Sequence, residues 1–237
     1  MLEIVGLAVS FGAAPALRGV GLRVAAGEAV SVLGANGAGK TTLLRAIMRR
    51  LPLDAGAIRI AGEDCGRLTT AQIVRRGVAL CPEGRQLFQA MTVEDNLLLG
   101  AYGSPSRIAR ARLETVLGRV PWLRARLRQL AGSFSGGEQQ MVAICRSLMG
   151  APRLLLLDEP SSGLSPVAIA QIREMLQTVR HEDGMTMLLV EQNVALATAL
   201  TTRCTVLNRG TVAFEGATAS MADAGDLAEA YLGGAPS

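Results

Sequence analysis

The sequence predicts an α/β fold with a helical insertion. Three observations predict it. Apolar runs of strand length recur along the chain: EAVSVLG at 28–34, VALCPE at 78–83, RLLLLDEP at 153–160 and MTMLLVEQN at 185–193. Three of them lead into helical patterns. Between about 88 and 150 the strand signals stop and helix signals dominate. The 237 residues, 49% hydrophobic and 19% charged, suffice for one packed α/β unit with a subdomain.

In chain order, residues 2–9 and 20–25 read as strands, with turns at Gly12 and Gly27. The run at 28–34 is a continuous apolar strand that ends in a glycine loop. Residues 40–50 follow as a helix with Leu43, Leu44, Ile47, Met48 and Leu51 on its inner face. AIRIAG at 57–62 is a short strand, and the strand at 78–83 ends at a proline. TVEDNLLLGAY, SRIARARLETVLGRV and EQQMVAICRSLMG supply the helices of the insertion. After it come a buried strand, a helix over 166–180 with proline near its start, and a last apolar strand that runs into a helix. CTVLNRGTVAFEG at 204–216 is a hairpin turning at Asn208–Gly210, and DLAEAYLGG near the end is a short helix.

Net charge is only +4, and the arginines are scattered, as at Arg49/Arg50, Arg75/Arg76 and Arg124/Arg126/Arg128. That pattern reads as solvated helix faces, and no nucleic-acid partner is expected. Cys65, Cys81, Cys145 and Cys204 form no CxxC and read as small buried thiols in a reducing compartment. The N-terminus lacks a basic region and carries Glu3, unlike a signal peptide. No apolar run approaches the ~20 residues of a spanning helix. The expected location is therefore cytoplasmic, with any membrane link made through a partner.

GANGAGKTT at 34–42 matches G-x-x-x-x-G-K-[ST] between a strand and a helix, the context that this phosphate-loop motif requires. Backbone N–H groups from Gly34 through Asn36, Gly37, Ala38 and Gly39 to Thr42 can curl around phosphate oxygens at a helix start. Lys40 is expected to reach the β and γ phosphates of ATP, and the Thr41 hydroxyl to hold Mg²⁺. Asp158 and Glu159 end a four-leucine strand. The aspartate can hold the same Mg²⁺, and the glutamate can orient or deprotonate an attacking water.

SFSGGEQQ at 133–140 carries two readings that are compatible. S-x-x-E before a helical run is a capping box, with Ser135 as cap and Glu138 reaching back. The same helix start presents the Ser135 hydroxyl and the amides of Gly136 and Gly137 to an anion.

The phosphate loop, this serine–glycine segment and RLLLLDEP, in that order, resemble the ATP-binding subunits of ATP-binding cassette (ABC) transporters over nearly the whole chain. The resemblance implies a P-loop NTPase core with an antiparallel β part at 1–87 and 151–237 and a helical signature subdomain at 88–150, together one ABC ATPase domain. It implies that two ATP molecules are sandwiched in a head-to-tail dimer, so that Ser135, Gly136 and Gly137 grip the ATP of the opposite subunit. It also places Phe11, one of only seven aromatics, where a ring stacks on adenine. A lone phenylalanine at a strand end is equally an ordinary core residue.

Three positions depart from the usual family pattern. Glu83 stands where most members have a glutamine at the nucleotide and its metal, Gln192 where most have a histidine, and Ser165 where many have an aspartate. The one histidine, His181, lies in RHEDG, a polar helix end. Gln192 can donate a hydrogen bond to a γ-phosphate but cannot carry a proton. It is expected to position, and hydrolysis to show no histidine titration near neutrality.

PEGRQLF, MTVEDNL, SGGEQQM, LLLLDEPSSGLSP, LVEQN and the ending YLGG together resemble one branch, the LivF-like subunits of high-affinity branched-chain amino acid importers. This implies a second ATPase subunit (with a homodimer open to the isolated chain), two membrane permeases, and an indirect link to a substrate-binding protein. The chain would sit peripherally on the cytoplasmic face of the inner membrane. The segment from Glu83 to about Tyr102 is expected to touch the permease. Urea or short-chain amide import, and a binding-only regulatory cassette, are the alternatives.

Overall fold

The structure is a computed structural model that describes residues 1–223. Its strands are β1 (Leu2–Phe11), β2 (Ala14–Val24), β3 (Ala29–Leu33), β4 (Ala55–Ile60), β5 (Glu63–Asp64), β6 (Val78–Cys81), β7 (Leu154–Asp158), β8 (Thr186–Glu191), β9 (Arg203–Asn208) and β10 (Thr211–Ala217). Its helices are α1 (Lys40–Ile47), α2 (Thr70–Arg75), α3 (Val93–Leu99), α4 (Ser106–Arg119), α5 (Gly136–Leu148), α6 (Pro166–Asp183), α7 (Val194–Leu200) and α8 (Thr218–Asp223).

The strands form two sheets. One is antiparallel, in the order β2-β1-β4-β5. The other runs β10-β9-β3-β8-β7-β6, parallel except for β10 at its edge. The continuous apolar runs are explained by burial on both faces, which parallel sheets require. Along β7, Leu154 and Leu156 face one core with Val30, Val32, Leu188 and Val190. Leu155 and Leu157 face another, with Met187, Leu189 and the inner faces of α3 to α6. Each such side chain contributes roughly 2 kcal/mol on leaving water. The first core also takes the inner faces of α1 and of the antiparallel sheet, so α1 and the loop before it are clamped between two sheets.

Several boundaries differ from expectation. β2 begins at Ala14 and not at 20, because Gly12 takes a positive φ of 59° and lets β1 fold straight back, pairing Phe11 with Ala14. α2 and β5 were not foreseen. α2 is short and buries only Ile73; its legible signal was the capping box formed by Thr69 and Gln72. Residues 121–126 and 131–133 form 3-10 turns within the helical insertion. α6 runs on to Asp183 and stops at Gly184, whose φ is 59°. The helix expected over DLAEAYLGG lies outside the described residues. Among the described residues no helix is long and apolar enough to cross a membrane.

Parallel strands share one carboxyl edge. The glycine loop after β3, Glu83 after β6, Asp158 at the end of β7 and Gln192 after β8 therefore meet on one side of the sheet.

Candidate active site

The loop from Gly34 to Gly39 joins β3 to α1. Gly39 carries a φ of 107°, and a Cβ there would lie 2.7 Å from Leu17 Cδ2 and 2.9 Å from the Ala16 carbonyl. The loop thus presses against β2, and only glycine fits. Lys40 is buried, with 4% of its side chain exposed. Its Nζ donates to the carbonyls of Gly34 at 2.7 Å and Ala35 at 2.9 Å. It also pairs with Glu159 Oε1 at 2.9 Å.

A cavity of about 450 Å³ opens over this loop. Phe11, Ala14, Pro15 and Ala16 wall one side, Asn36, Gly37 and Gly39 to Thr42 form the floor, and Glu83 and Glu159 stand opposite. Phe11 is half exposed, at 50%, so the core reading of this ring is excluded. The cavity has the parts a nucleoside triphosphate needs: an exposed ring at one end, and backbone amides with a buried cation at the other.

Asp158 is buried and accepts a hydrogen bond from Thr41 Oγ1 at 3.2 Å. Burial pushes its carboxyl up to about 6; the Thr41 bond opposes this, while the charges of Glu83 and Glu159 add to it. Thr41, Glu83 and Asp158 also line a second cavity of about 260 Å³ beside the first. This all-oxygen set suits a hard cation such as Mg²⁺. Among the described residues no cluster of three or more carboxylate, histidine or cysteine ligands forms a complete cage. Such an ion would therefore complete its shell with substrate phosphates and water, as Mg²⁺ commonly does.

Glu159 holds a left-handed backbone, φ 45°, which costs a non-glycine residue about 1–2 kcal/mol. Its amide donates to the Val190 carbonyl at 2.9 Å, which fixes the strained turn against β8. Gln192 Nε2 donates to Asn36 Oδ1, so its side chain lies against the glycine loop. Ser165 caps α6, accepting from the Ala168 amide at 3.3 Å. Serine is a good cap at this position.

The capping box at 135–138 is present in full: the Ser135 amide donates to Glu138 Oε2 at 2.8 Å, and the Glu138 amide to Ser135 Oγ at 3.4 Å. Arg126 pairs with Glu138 and lies over the Phe134 ring, 4.0 Å from its centroid. Ser135, Gly136 and Gly137 do not line the cavity over the glycine loop.

Sequence reading missed two residues. Arg85 lies over the start of α5, its guanidinium 2.9 Å from where a Cβ on Gly136 would be. The backbone carbonyls of Arg85 and Gln86 are held by Arg146 at 3.1 and 2.8 Å. The other is Glu191, a buried carboxylate inside the LVEQN segment. A charged residue closing an otherwise apolar run was its visible signal. Elsewhere, all four cysteines are free and buried, and burial lifts the Cys81 and Cys145 thiols to about 12. His181 is exposed near the end of α6.

Comparison with known proteins agrees with this geometry. A family model described as ABC transporter matches residues 17–162. The high-affinity branched-chain amino acid transport ATP-binding protein BraG of Pseudomonas aeruginosa is 42% identical, covering 99% of this chain and 100% of its own. The similarly described protein BraF of the same organism is 32% identical, covering 98% of each. A solved structure of an ATP-binding subunit of an ABC transporter superposes with a TM-score of 0.80 at 30% identity, covering 98% of this chain and 95% of that one. With a phosphate loop, a following acidic pair and a signature helix on the matching fold, the chain belongs to the ABC transporter family as an ATP-binding subunit.

Proposed function

We propose that this chain hydrolyses ATP to power import of branched-chain amino acids through partner membrane permeases. The observation that carries the reading is the full-length likeness to BraG, joined to an intact Lys40–Glu159 and Thr41–Asp158 arrangement.

The chain acts as one ATPase domain, with residues 1–87 and 151–237 as nucleotide core and 88–150 as signature subdomain. Phe11 stacks on adenine, and the loop amides hold the phosphates. Phosphate replaces Glu159 as the anion facing Lys40. That exchange frees the Glu159 carboxylate to take a proton from the attacking water. Thr41, Asp158 and Glu83 would hold Mg²⁺, which supplies charge neutralisation at the phosphate oxygens. Gln192 orients the γ-phosphate without proton transfer.

Ser135, Gly136 and Gly137 serve the ATP of a second subunit. Their position outside this chain's own cavity supports that reading. Arg85 adds a cation at the same helix start, where an opposing phosphate would be attracted. Two distinct relatives in one organism, BraG and BraF, favour a heterodimer. A groove of about 350 Å³ lined by Val74, Phe88 and Leu99, all exposed apolar side chains, is the site for the permease. The chain then works at the cytoplasmic face of the inner membrane, and a substrate-binding protein delivers the cargo to the permeases.

The test is labelled leucine uptake in cells deleted for this gene and complemented with wild type or Glu159→Gln. Uptake that falls on deletion and returns only with wild type supports the reading. Restoration by Glu159→Gln makes the chain a binding-only cassette. Unchanged leucine uptake overturns the substrate, and urea or short-chain amides are measured next.

A further inference from the structure

Glu191 ends β8 with only 2% of its surface exposed. Burying a carboxylate is costly unless it is paired or fully hydrogen-bonded. Among the described residues no cation pairs with it; three backbone amides bind it instead. Oε1 accepts from Ser161 at 2.9 Å. Oε2 accepts from Gln192 at 3.0 Å and from Asn193 at 3.1 Å.

A carboxylate just before a helix could serve only to satisfy local amides. The contacts of Oε2, at the start of α7, fit that bland role. The contact of Oε1 does not, because Ser161 lies 30 residues away in another segment. That segment is the turn that follows Glu159 and leads to the Ser165 cap of α6. The two oxygens therefore join two loops. One carries Gln192, whose side chain reaches Asn36 in the phosphate loop. The other begins at the strained Glu159. An apolar side chain could fill this space, but it could not hold three amides at once.

We infer that Glu191 is a positioning residue for ATP hydrolysis, stapling the Gln192 turn to the turn after Glu159 so that both face the γ-phosphate together. The inference rests on the ATPase reading given above. Its chemistry requires an ionised carboxylate. In Glu191→Gln, one of the two oxygens becomes an amide nitrogen, which meets an N–H with another donor. The isostere therefore breaks one side of the staple while keeping its volume.

The experiment measures kcat and KM for ATP in the full chain and in Glu191→Gln, Gln192→Ala and the double variant. Glu191→Gln is expected to lower kcat about tenfold, the scale of one lost charge-assisted hydrogen bond, with KM changed less than about twofold. The double variant is expected to lose less than the product of the two single losses, because Glu191 acts through Gln192. A wild-type kcat in Glu191→Gln, or strictly multiplicative losses, would overturn the inference and leave the ATPase reading intact. Absence of turnover in the wild-type chain would remove the ATPase reading and the inference with it.

Hydrogen exchange of the unaltered protein gives a second test, independent of whether the variants fold. The amides of Ser161, Gln192 and Asn193 are expected to be protected together. Rapid exchange at Ser161 beside slow exchange at Gln192 and Asn193 would mean that only local capping is present.

Discussion

Replacing Glu159 by Gln removes the anion that neutralises Lys40 in the nucleotide-free protein. The pair is 2.9 Å long, with side-chain exposures of 4% and 13%. An exposed pair contributes about 0–1 kcal/mol, whereas removing one partner of a fully buried pair costs about 3–5 kcal/mol. Lys40 keeps two carbonyl acceptors at 2.7 and 2.9 Å, so the loss falls between, about 1–3 kcal/mol. For a chain of this size that lowers the melting temperature by about 2–12 °C. ATP reverses the balance. The wild type must break the pair to place Lys40 on phosphate, and the variant has no pair to break. The same 1–3 kcal/mol is therefore expected to tighten ATP binding by about 5- to 150-fold, while loss of the proposed base is expected to slow hydrolysis by about 10²–10⁴-fold. Thermal unfolding and calorimetric titration, each on wild type and variant, measure the two effects. A variant that melts with the wild type when nucleotide-free, and binds ATP with the wild-type Kd, would show that Glu159 does not compete for Lys40.

Four further outcomes follow from the same geometry. Asp158 binds its proton more tightly when folded, near pH 6, than when unfolded, near 3.8. Its contribution to stability in metal-free buffer is full below about pH 4 and fades as pH rises through about 6; Asp158→Asn should flatten that part of the melting profile. Gly39→Ala should abolish nucleotide binding, because its Cβ would strike Leu17 and the Ala16 carbonyl. Gly37→Ala, with a φ of 79° but open space, should lose only about 1–2 kcal/mol of stability in thermal melts. Ser165→Ala removes the α6 cap, and should lower the melting temperature by about 2–4 °C, equivalent to about 1 kcal/mol.

What could be read from the sequence was local. The glycine loop is specified within nine residues, and the signature helix start within four, because phosphate cradles and capping boxes are built from neighbouring backbone groups. The apolar runs showed burial on both faces, since each strand carries its own evidence of that. The short helix α2 escaped notice because a single buried residue gives no periodicity. Phe11 shows the limit of such reading. A ring at a strand end is compatible with core or with ligand, and only the fold of β1 onto β2 beside the glycine loop left it half exposed.

The contacts that make a site of these motifs were decided by tertiary structure. Thr41 meets Asp158 across 117 residues, and Gln192 meets Asn36 across 156. The strand order β3-β8-β7 sets both, and it is not the order of the strands along the chain. Glu191 has the same origin. Its place in LVEQN was plain, but its hold on Ser161 exists only because β7 and β8 lie side by side with their carboxyl ends in register. Local sequence supplies the groups and their backbone geometry; the permutation of strands in the parallel sheet determines which of those groups meet.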